Sequence, residues 1–94
     1  MGRYEEEVRG LRDEINRLNA EIVIKLSERV AVAVRIGELK KRHGLPIVDR
    51  EREARVYAQI RGLASEQGID PEGVERVFRE IIRLCTEAEM EGQT

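Results

Sequence analysis

Apolar residues recur at steps of three and four along the first forty residues of the chain. This spacing keeps apolar side chains on one face of an α-helix. The stripe consists of Val8, Leu11, Ile15, Leu18, Ile22, Leu26, Val30, Ala33 and Ile36. Its first firm stop is the segment HGLP, where Gly44 suits a helix C-cap and Pro46 cannot continue the helix. The pattern therefore predicts one long amphipathic helix over about residues 5–42.

Two shorter amphipathic helices are predicted to follow the long one. The first covers about residues 50–67, because apolar residues again recur at helical spacing and Gly68 follows them. The second covers about residues 71–90, because Asp70 is a good N-cap and Pro71 suits the first position of a helix. The pattern contains no strand and no internal repeat, so the sequence predicts an all-α fold.

The predicted first helix is too long for a chain of this size. At 1.5 Å per residue it measures roughly 55 to 60 Å, whereas a compact domain of 94 residues is about 30 Å across. Two short helices cover about half of it, so its remaining apolar length needs a second copy of the chain. We predict a homodimer in which residues 1–94 form a single three-helix domain. A plain coiled-coil dimer is the competing interpretation, but it needs neither the Gly-Pro turn nor two further amphipathic helices.

Composition and charge exclude several classes of function. Hydrophobic residues make up 40% and charged residues 38% of the chain, and the net charge of −2 arises from acids and bases that alternate along it. Such mixing gives no basic patch for nucleic acid and no charged anchor for a membrane. The single cysteine, Cys85, allows no internal disulfide, and the first residues do not resemble a signal peptide. We therefore expect a cytoplasmic protein without a metal site or cofactor.

Several charged residues fall on the faces that the helices turn inward. Arg29 and Lys40 lie within a sector of about 60° on the long helix that also carries apolar residues. Glu53 lies on the inward face of the second helix, and Glu89 lies on that of the third helix beside Cys85. Buried charges are tolerated only when they are paired or bind a ligand. Together these residues predict a closed pocket for a polar, anionic ligand.

Each of these residues taken alone has a simpler interpretation. The stems of Arg29 and Lys40 can lie along apolar surface with their charges in water, Asp49 can be a simple helix cap, and Glu89 can be a carboxylate at a frayed helix end. Arg12 lies roughly 25 Å along the helix from Arg29 and is rotated by about 100°, so it cannot reach the same pocket within one chain. In an antiparallel dimer, Arg12 can enter the pocket of the other subunit.

Four segments carry a resemblance to a known family: LRDEINRLN at 11–19, LSERVAVAVRIGELK at 26–40, GLPIVDRERE at 44–53 and VFREIIRLCTEAE at 77–89. Along nearly its whole length the chain resembles the all-helical class of chorismate mutases. The specific part of this resemblance is an ordered set of residues, namely Arg12, Arg29, Lys40, Asp49, Arg52 and Glu53. The resemblance implies an intertwined homodimer of three-helix chains with shared active sites.

The resemblance also implies an isomerase of phenylalanine and tyrosine biosynthesis that converts chorismate to prephenate without a cofactor. This intramolecular Claisen rearrangement needs no nucleophile, metal or proton transfer. By analogy with the family, Arg29 and Arg12 of the partner subunit hold the two substrate carboxylates, and Lys40 donates a hydrogen bond to the ether oxygen. The site can accelerate the step by fixing the compact conformer and by placing cations where negative charge develops.

The same analogy assigns the remaining site residues. Glu53, with the backbone near Asp49 and Arg52, receives the ring hydroxyl of the substrate. Cys85 stands where many members carry a small hydroxyl residue, so its contact with a substrate carboxylate is weaker. Glu89 stands where bacterial members often carry glutamine, opposite Lys40 at the ether oxygen, and it must be protonated to donate a hydrogen bond there.

Two other functions are compatible with the sequence. One is an isochorismate pyruvate lyase of the same fold, which shares most of the cationic residues. The other is a non-catalytic helical dimer that regulates another enzyme of aromatic biosynthesis, and an active mutase can also dock on such an enzyme. The complete corner from Pro46 to Glu53 favours the mutase over the lyase, and retention of the whole charged set argues against a non-catalytic dimer.

Overall fold

The computed structural model describes residues 2–92 and consists of helices joined by short turns. The helices are α1 (Gly2–Arg42), α2 (Arg50–Glu66) and α3 (Pro71–Glu91), and these residues contain no strand. The predicted all-α class is confirmed, although α1 begins three residues earlier than predicted and the ends of α2 and α3 differ by one residue. Within residues 2–92, no helix combines the length and the apolar character needed to cross a membrane.

Glycines end the first two helices in the way that the sequence predicted. Gly44 has a φ of 65°, in the left-handed region that glycine adopts without steric cost. The Leu45 N–H donates to the Lys40 carbonyl at 2.8 Å, and the Gly44 N–H donates to the Lys41 carbonyl at 3.2 Å. This pair of bonds satisfies carbonyls that the end of α1 leaves open. Gly68, with a φ of 72°, ends α2 with the same pair of bonds.

Aspartates cap the first turns of α2 and α3. The Asp49 carboxylate accepts a hydrogen bond from the Arg52 N–H at 3.1 Å. The Asp70 carboxylate accepts from the Glu72 and Gly73 N–H groups, each at 3.2 Å. Caps of this kind typically contribute about 1 kcal/mol of stability. Both predicted caps are therefore present, and the Asp49 cap fixes where the loop after α1 meets α2.

Helix α3 is the central element of the chain. It packs against both α1 and α2, whereas α1 and α2 make no close backbone contact with each other within the described residues. The molecule measures 62 × 28 × 15 Å, and its long dimension is that of α1. Because the 21 residues of α3 span only about 30 Å, α3 covers the C-terminal half of α1 and leaves the N-terminal half uncovered.

The uncovered half of α1 exposes a row of large apolar side chains, which we call the N-terminal stripe. Its members are between 48% and 59% exposed and are Leu11, Ile15, Leu18 and Ile22. Among residues 2–92, by contrast, the buried apolar core consists of Ala33, Ala64 and Cys85. Exposed rows of large apolar side chains are typical of protein interaction surfaces.

An ionic cluster on the outer side joins α2 to α3. Glu75 accepts hydrogen bonds from Arg79 at 2.6 Å and from Arg61 of α2 at 3.0 Å. The Arg79 guanidinium also lies 4.4 Å from the centre of the Tyr57 ring, within the range of a cation–π contact. The bonds from Arg79 and Arg61 hold the pKa of Glu75 below its ordinary value. This contribution to stability is therefore present at neutral pH and is lost as the pH falls through the lowered pKa.

Candidate functional site

A cleft of about 370 Å³, which we call the three-helix cleft, opens between the C-terminal half of α1, the start of α2 and the C-terminal half of α3. Its volume lies within the range of pockets that hold small molecules. Apolar side chains form its walls, and its polar lining residues are Arg29, Lys40, Asp49, Arg52, Glu53, Cys85, Thr86 and Glu89. The structure thus brings together every predicted site residue except Arg12.

The two α1 cations that line the cleft, Arg29 and Lys40, are held in place by partners from other elements. The Arg29 guanidinium donates to the Cys85 sulfur at 3.0 Å, which ties it to α3. The Lys40 ammonium donates to the Ile47 carbonyl at 2.7 Å, which ties it to the loop between α1 and α2. Because an ammonium carries three donors, Lys40 keeps donors for a ligand in the cleft. Cys85 itself is buried, as predicted for a small core residue.

Glu89 carries the most unusual environment in the cleft. Its Oε2 atom is buried and accepts no hydrogen bond from any described residue. Burial raises the pKa of Glu89, while the charges of Lys40 and Arg29 oppose that shift. The sequence did not decide between these effects, and in the structure burial outweighs the two cations. A raised pKa favours the protonated carboxyl, which is a hydrogen-bond donor.

The corner at the start of α2 combines a helix cap with a partly covered carboxylate. One Asp49 oxygen is committed to capping the Arg52 N–H. The Glu53 side chain is only 20% exposed and lines the cleft. The Arg50 guanidinium lies 3.4 Å from the Glu53 carboxylate. The pair is weak, because the Arg50 side chain is 85% exposed.

Arg12 lies outside the three-helix cleft. It is exposed on the N-terminal half of α1, in a shallow groove with Tyr4, Glu5, Val8 and Arg9. This agrees with the expectation that Arg12 does not reach the other cations within one chain. Arg12 lies on the same half of α1 as the N-terminal stripe.

Two further residues shape the site and were not predicted. Thr86 adds a hydroxyl to the cleft lining, but at about 100° from Cys85 it falls at the margin of the apolar stripe of α3. Gly37 is buried where α1 meets α3, directly against the Glu89 side chain. A signal for Gly37 existed in the sequence, since a glycine inside a helix costs about 1 kcal/mol relative to alanine and needs a packing reason.

The chemistry that this arrangement supports is binding and electrostatic stabilisation of an anion. Three cationic side chains, Arg29, Lys40 and Arg52, line a half-enclosed space with apolar walls. In such a space fixed charges act more strongly than they do in water. No group of His, Cys, Asp and Glu side chains within residues 2–92 is arranged to hold a metal ion.

Comparison with known proteins identifies a family that matches most of the chain. The model of the family described as chorismate mutase type II matches residues 11–90. A chorismate mutase of Methanocaldococcus jannaschii is 31% identical over 77 residues, which is 82% of this chain and 78% of that protein.

Two relatives are much longer than this chain. A bifunctional chorismate mutase/prephenate dehydratase of Aquifex aeolicus is 41% identical over 87 residues, and a T-protein of Enterobacter agglomerans is 36% identical over 77 residues. These matches cover 89% and 82% of this chain. The chain spans only 24% and 21% of the length of these two relatives.

Proposed function

The chain belongs to the chorismate mutase type II family, and we propose that it is an isomerase that converts chorismate to prephenate at the three-helix cleft. The observation that carries this proposal is the meeting of Lys40, Arg29 and a Glu89 carboxyl with a buried Oε2 atom in one cleft. In the reaction the ether C–O bond of chorismate breaks as a new C–C bond forms within the same molecule. No atom is gained or lost, and the protein supplies geometry and charge.

The charges of the cleft suit a dianionic substrate. Its cations Arg29, Lys40 and Arg52 face the carboxyl groups of Asp49, Glu53 and Glu89. Protonation of Glu89 leaves one net positive charge, and an arginine from a second chain raises this to two. Chorismate brings two negative charges, and buried charges are tolerated when they are balanced. Charge balance thus supports both a neutral Glu89 and a contribution from Arg12 of the partner subunit.

Lys40 and Glu89 act on the ether oxygen from opposite sides. Negative charge gathers on this oxygen as the C–O bond breaks, so hydrogen-bond donors placed there stabilise the transition state more than the substrate. The Ile47 carbonyl holds the Lys40 ammonium in place before substrate arrives. Glu89 donates only while its carboxyl is protonated.

The other residues bind and orient the substrate. Arg29 and Arg12 of the partner subunit bind the two carboxylates, and Cys85 contributes mainly by holding the Arg29 guanidinium. Glu53 and the backbone around Asp49 and Arg52 bind the ring hydroxyl, which selects the compact conformer.

A homodimer completes the site in this proposal. The N-terminal stripe is exposed on the half of α1 that α3 leaves uncovered, and a second copy is the simplest partner that buries it. An antiparallel crossing of two α1 helices brings Arg12 of one chain toward the cleft of the other. The intertwined arrangement implied by the family has this geometry.

The pH dependence of the rate follows from the raised pKa of Glu89. We expect activity to fall as the pH rises through this pKa, because the ionised carboxylate repels the oxygen that gains negative charge. Glu89→Gln carries a donor at every pH, so it keeps activity at neutral pH and loses the alkaline decline. The measurement is kcat from about pH 5 to pH 9, a range that contains a raised glutamate pKa.

Glu87→Gln serves as the control for this series, because Glu87 is exposed on the same helix and lies outside the cleft. It should reproduce the wild-type profile. Identical profiles for wild type and Glu89→Gln would show that Glu89 does not donate to the ether oxygen.

To distinguish the proposed mutase from the lyase, the purified protein is assayed in parallel with chorismate and with isochorismate. The mutase proposal predicts prephenate from chorismate and little pyruvate from isochorismate. Pyruvate release from isochorismate as the faster reaction would favour the lyase. Absence of turnover with both substrates would favour the non-catalytic helical dimer that regulates another enzyme.

The bifunctional relative suggests a wider setting for this activity. Its name joins a chorismate mutase to a prephenate dehydratase in one protein. We extend this to the present chain as a proposal that it works beside another enzyme of aromatic biosynthesis, by fusion or by docking. The cytoplasmic location expected from the sequence stays a prediction.

A further inference from the structure

Gly37 occupies a position where a larger residue would be expected on local grounds. It lies inside α1, where alanine is favoured over glycine by about 1 kcal/mol. Its φ is not in the left-handed region, so the backbone does not require glycine. The reason for this glycine must therefore lie in what surrounds it.

The surroundings of Gly37 are the stem of Glu89. A Cβ atom on residue 37 would lie 3.1 Å from both Cβ and Cγ of Glu89 and 3.5 Å from its Cα. The first two distances are shorter than ordinary carbon–carbon contacts, which are about 3.5 to 4 Å. An alanine here would push the Glu89 stem away from α1 by roughly a few tenths of an ångström. Because the Glu89 Cβ is fixed to its own backbone, this part of α3 would move with it.

We propose that Gly37 is a positioning residue, whose missing side chain lets α3 approach α1 closely enough to hold the Glu89 carboxyl inside the three-helix cleft. The catalytic consequence rests on the proposed function, whereas the positioning itself does not. Ala33, one helical turn before Gly37, is also small and buried, which is consistent with a close helix contact along this line.

The groups that face Glu89 determine what its displacement would do. Burial raises the pKa of Glu89, and Arg29 and Lys40 on α1 lower it. The other charged groups of the cleft, Asp49, Arg52 and Glu53, lie at the start of α2. Movement away from α1 weakens the effect of both cations, but burial is the largest of the three influences. We therefore expect a Glu89 carboxyl displaced toward solvent to have a pKa nearer the ordinary value and to ionise at a lower pH.

The test compares Gly37→Ala with a matched control, Gly62→Ala. Gly62 lies inside α2 and is exposed, and a Cβ atom added to it would meet no atom within 4 Å, so its replacement adds the same methyl without a contact. The first readout is the titration of the Glu89 carboxyl carbon by NMR in the full chain without substrate. We expect the Glu89 pKa to fall in Gly37→Ala and to stay at the wild-type value in Gly62→Ala.

The second readout is the rate with chorismate. For Gly37→Ala we expect a loss of roughly 10- to 100-fold in kcat at neutral pH, as a small misplacement can cause, and an alkaline decline that moves to lower pH. Gly62→Ala should keep the wild-type rate. A chain without mutase activity refutes the proposed function but leaves the NMR titration valid.

Thermal unfolding separates positioning from a purely structural role. An unchanged Glu89 pKa in a folded Gly37→Ala chain contradicts the proposal. So does a large drop in Tm with an unchanged pH profile, because Gly37 would then be needed only for packing.

Discussion

Replacement of Lys40 by alanine will lower kcat by roughly 100- to 1,000-fold, or about 3 to 4 kcal/mol, the range found when one donor to a developing oxyanion is removed. KM will change much less, because the charge on the ether oxygen that Lys40 meets develops mainly in the transition state. The Lys40 ammonium is preorganised for this role by its 2.7 Å bond to the Ile47 carbonyl. Arg29→Ala, by contrast, will also raise KM, because Arg29 binds a carboxylate that is charged throughout the reaction.

Steady-state kinetics on the purified variants check this prediction. Lys41→Ala is the matched control, because it removes the same charge from the next position, which is exposed and outside the cleft. It should leave both constants within about twofold of wild type, as is usual for a surface substitution. Small and equal changes in kcat and KM for Lys40→Ala would show that Lys40 does not stabilise the transition state.

Replacement of Arg12 by alanine will abolish most of the activity, although Arg12 lies outside the cleft of its own chain. Mixed with Lys40→Ala chains, Arg12→Ala chains will regain activity. In a mixed dimer, one cleft has an intact Lys40 and receives Arg12 from the other chain, while the second cleft lacks both. Random exchange at equal amounts makes half of the dimers mixed, so about a quarter of the wild-type activity should return if the dimer has two-fold symmetry.

The control for this experiment is a mixture of Lys40→Ala and Arg29→Ala chains. Both residues line the cleft of one chain, so no mixed dimer contains a complete site and activity should not return. Exchange is first verified with chains of two distinguishable masses. Failure of the first mixture to regain activity after verified exchange would contradict shared sites.

The main features of the fold follow from local signals in the sequence. The spacing of apolar residues predicts each helix. Asp49 and Asp70 predict where α2 and α3 begin, and Gly44 and Gly68 predict where α1 and α2 end, because each acts through its own turn. The excess length of α1 could also be inferred, because helix length depends only on the number of residues.

The site could be predicted less completely, because its details depend on contacts between distant residues. Angular position on a helix placed Arg29, Lys40 and Glu89 on inward faces, and the structure brings them into one cleft. The bond from Lys40 to a loop carbonyl and the contact between Gly37 and Glu89 depend on how far one element lies from another. Helical periodicity gives no information on the distance between two helices or between a helix and a loop. The direction of the Glu89 pKa shift was undecided for the same reason, since it is a balance between burial and charge.

The most direct test of the central claim is the formation of prephenate from chorismate by the purified chain, followed as initial rates. A preparation of the Arg29→Ala/Lys40→Ala double variant, purified in the same way, controls for mutase from the expression host. We predict that wild type converts chorismate to prephenate in equal amounts, with a rate proportional to the protein added, and that the double variant does not exceed the uncatalysed rate. Conversion by the two preparations at the same rate, or no conversion by wild type, would contradict the proposed mutase activity.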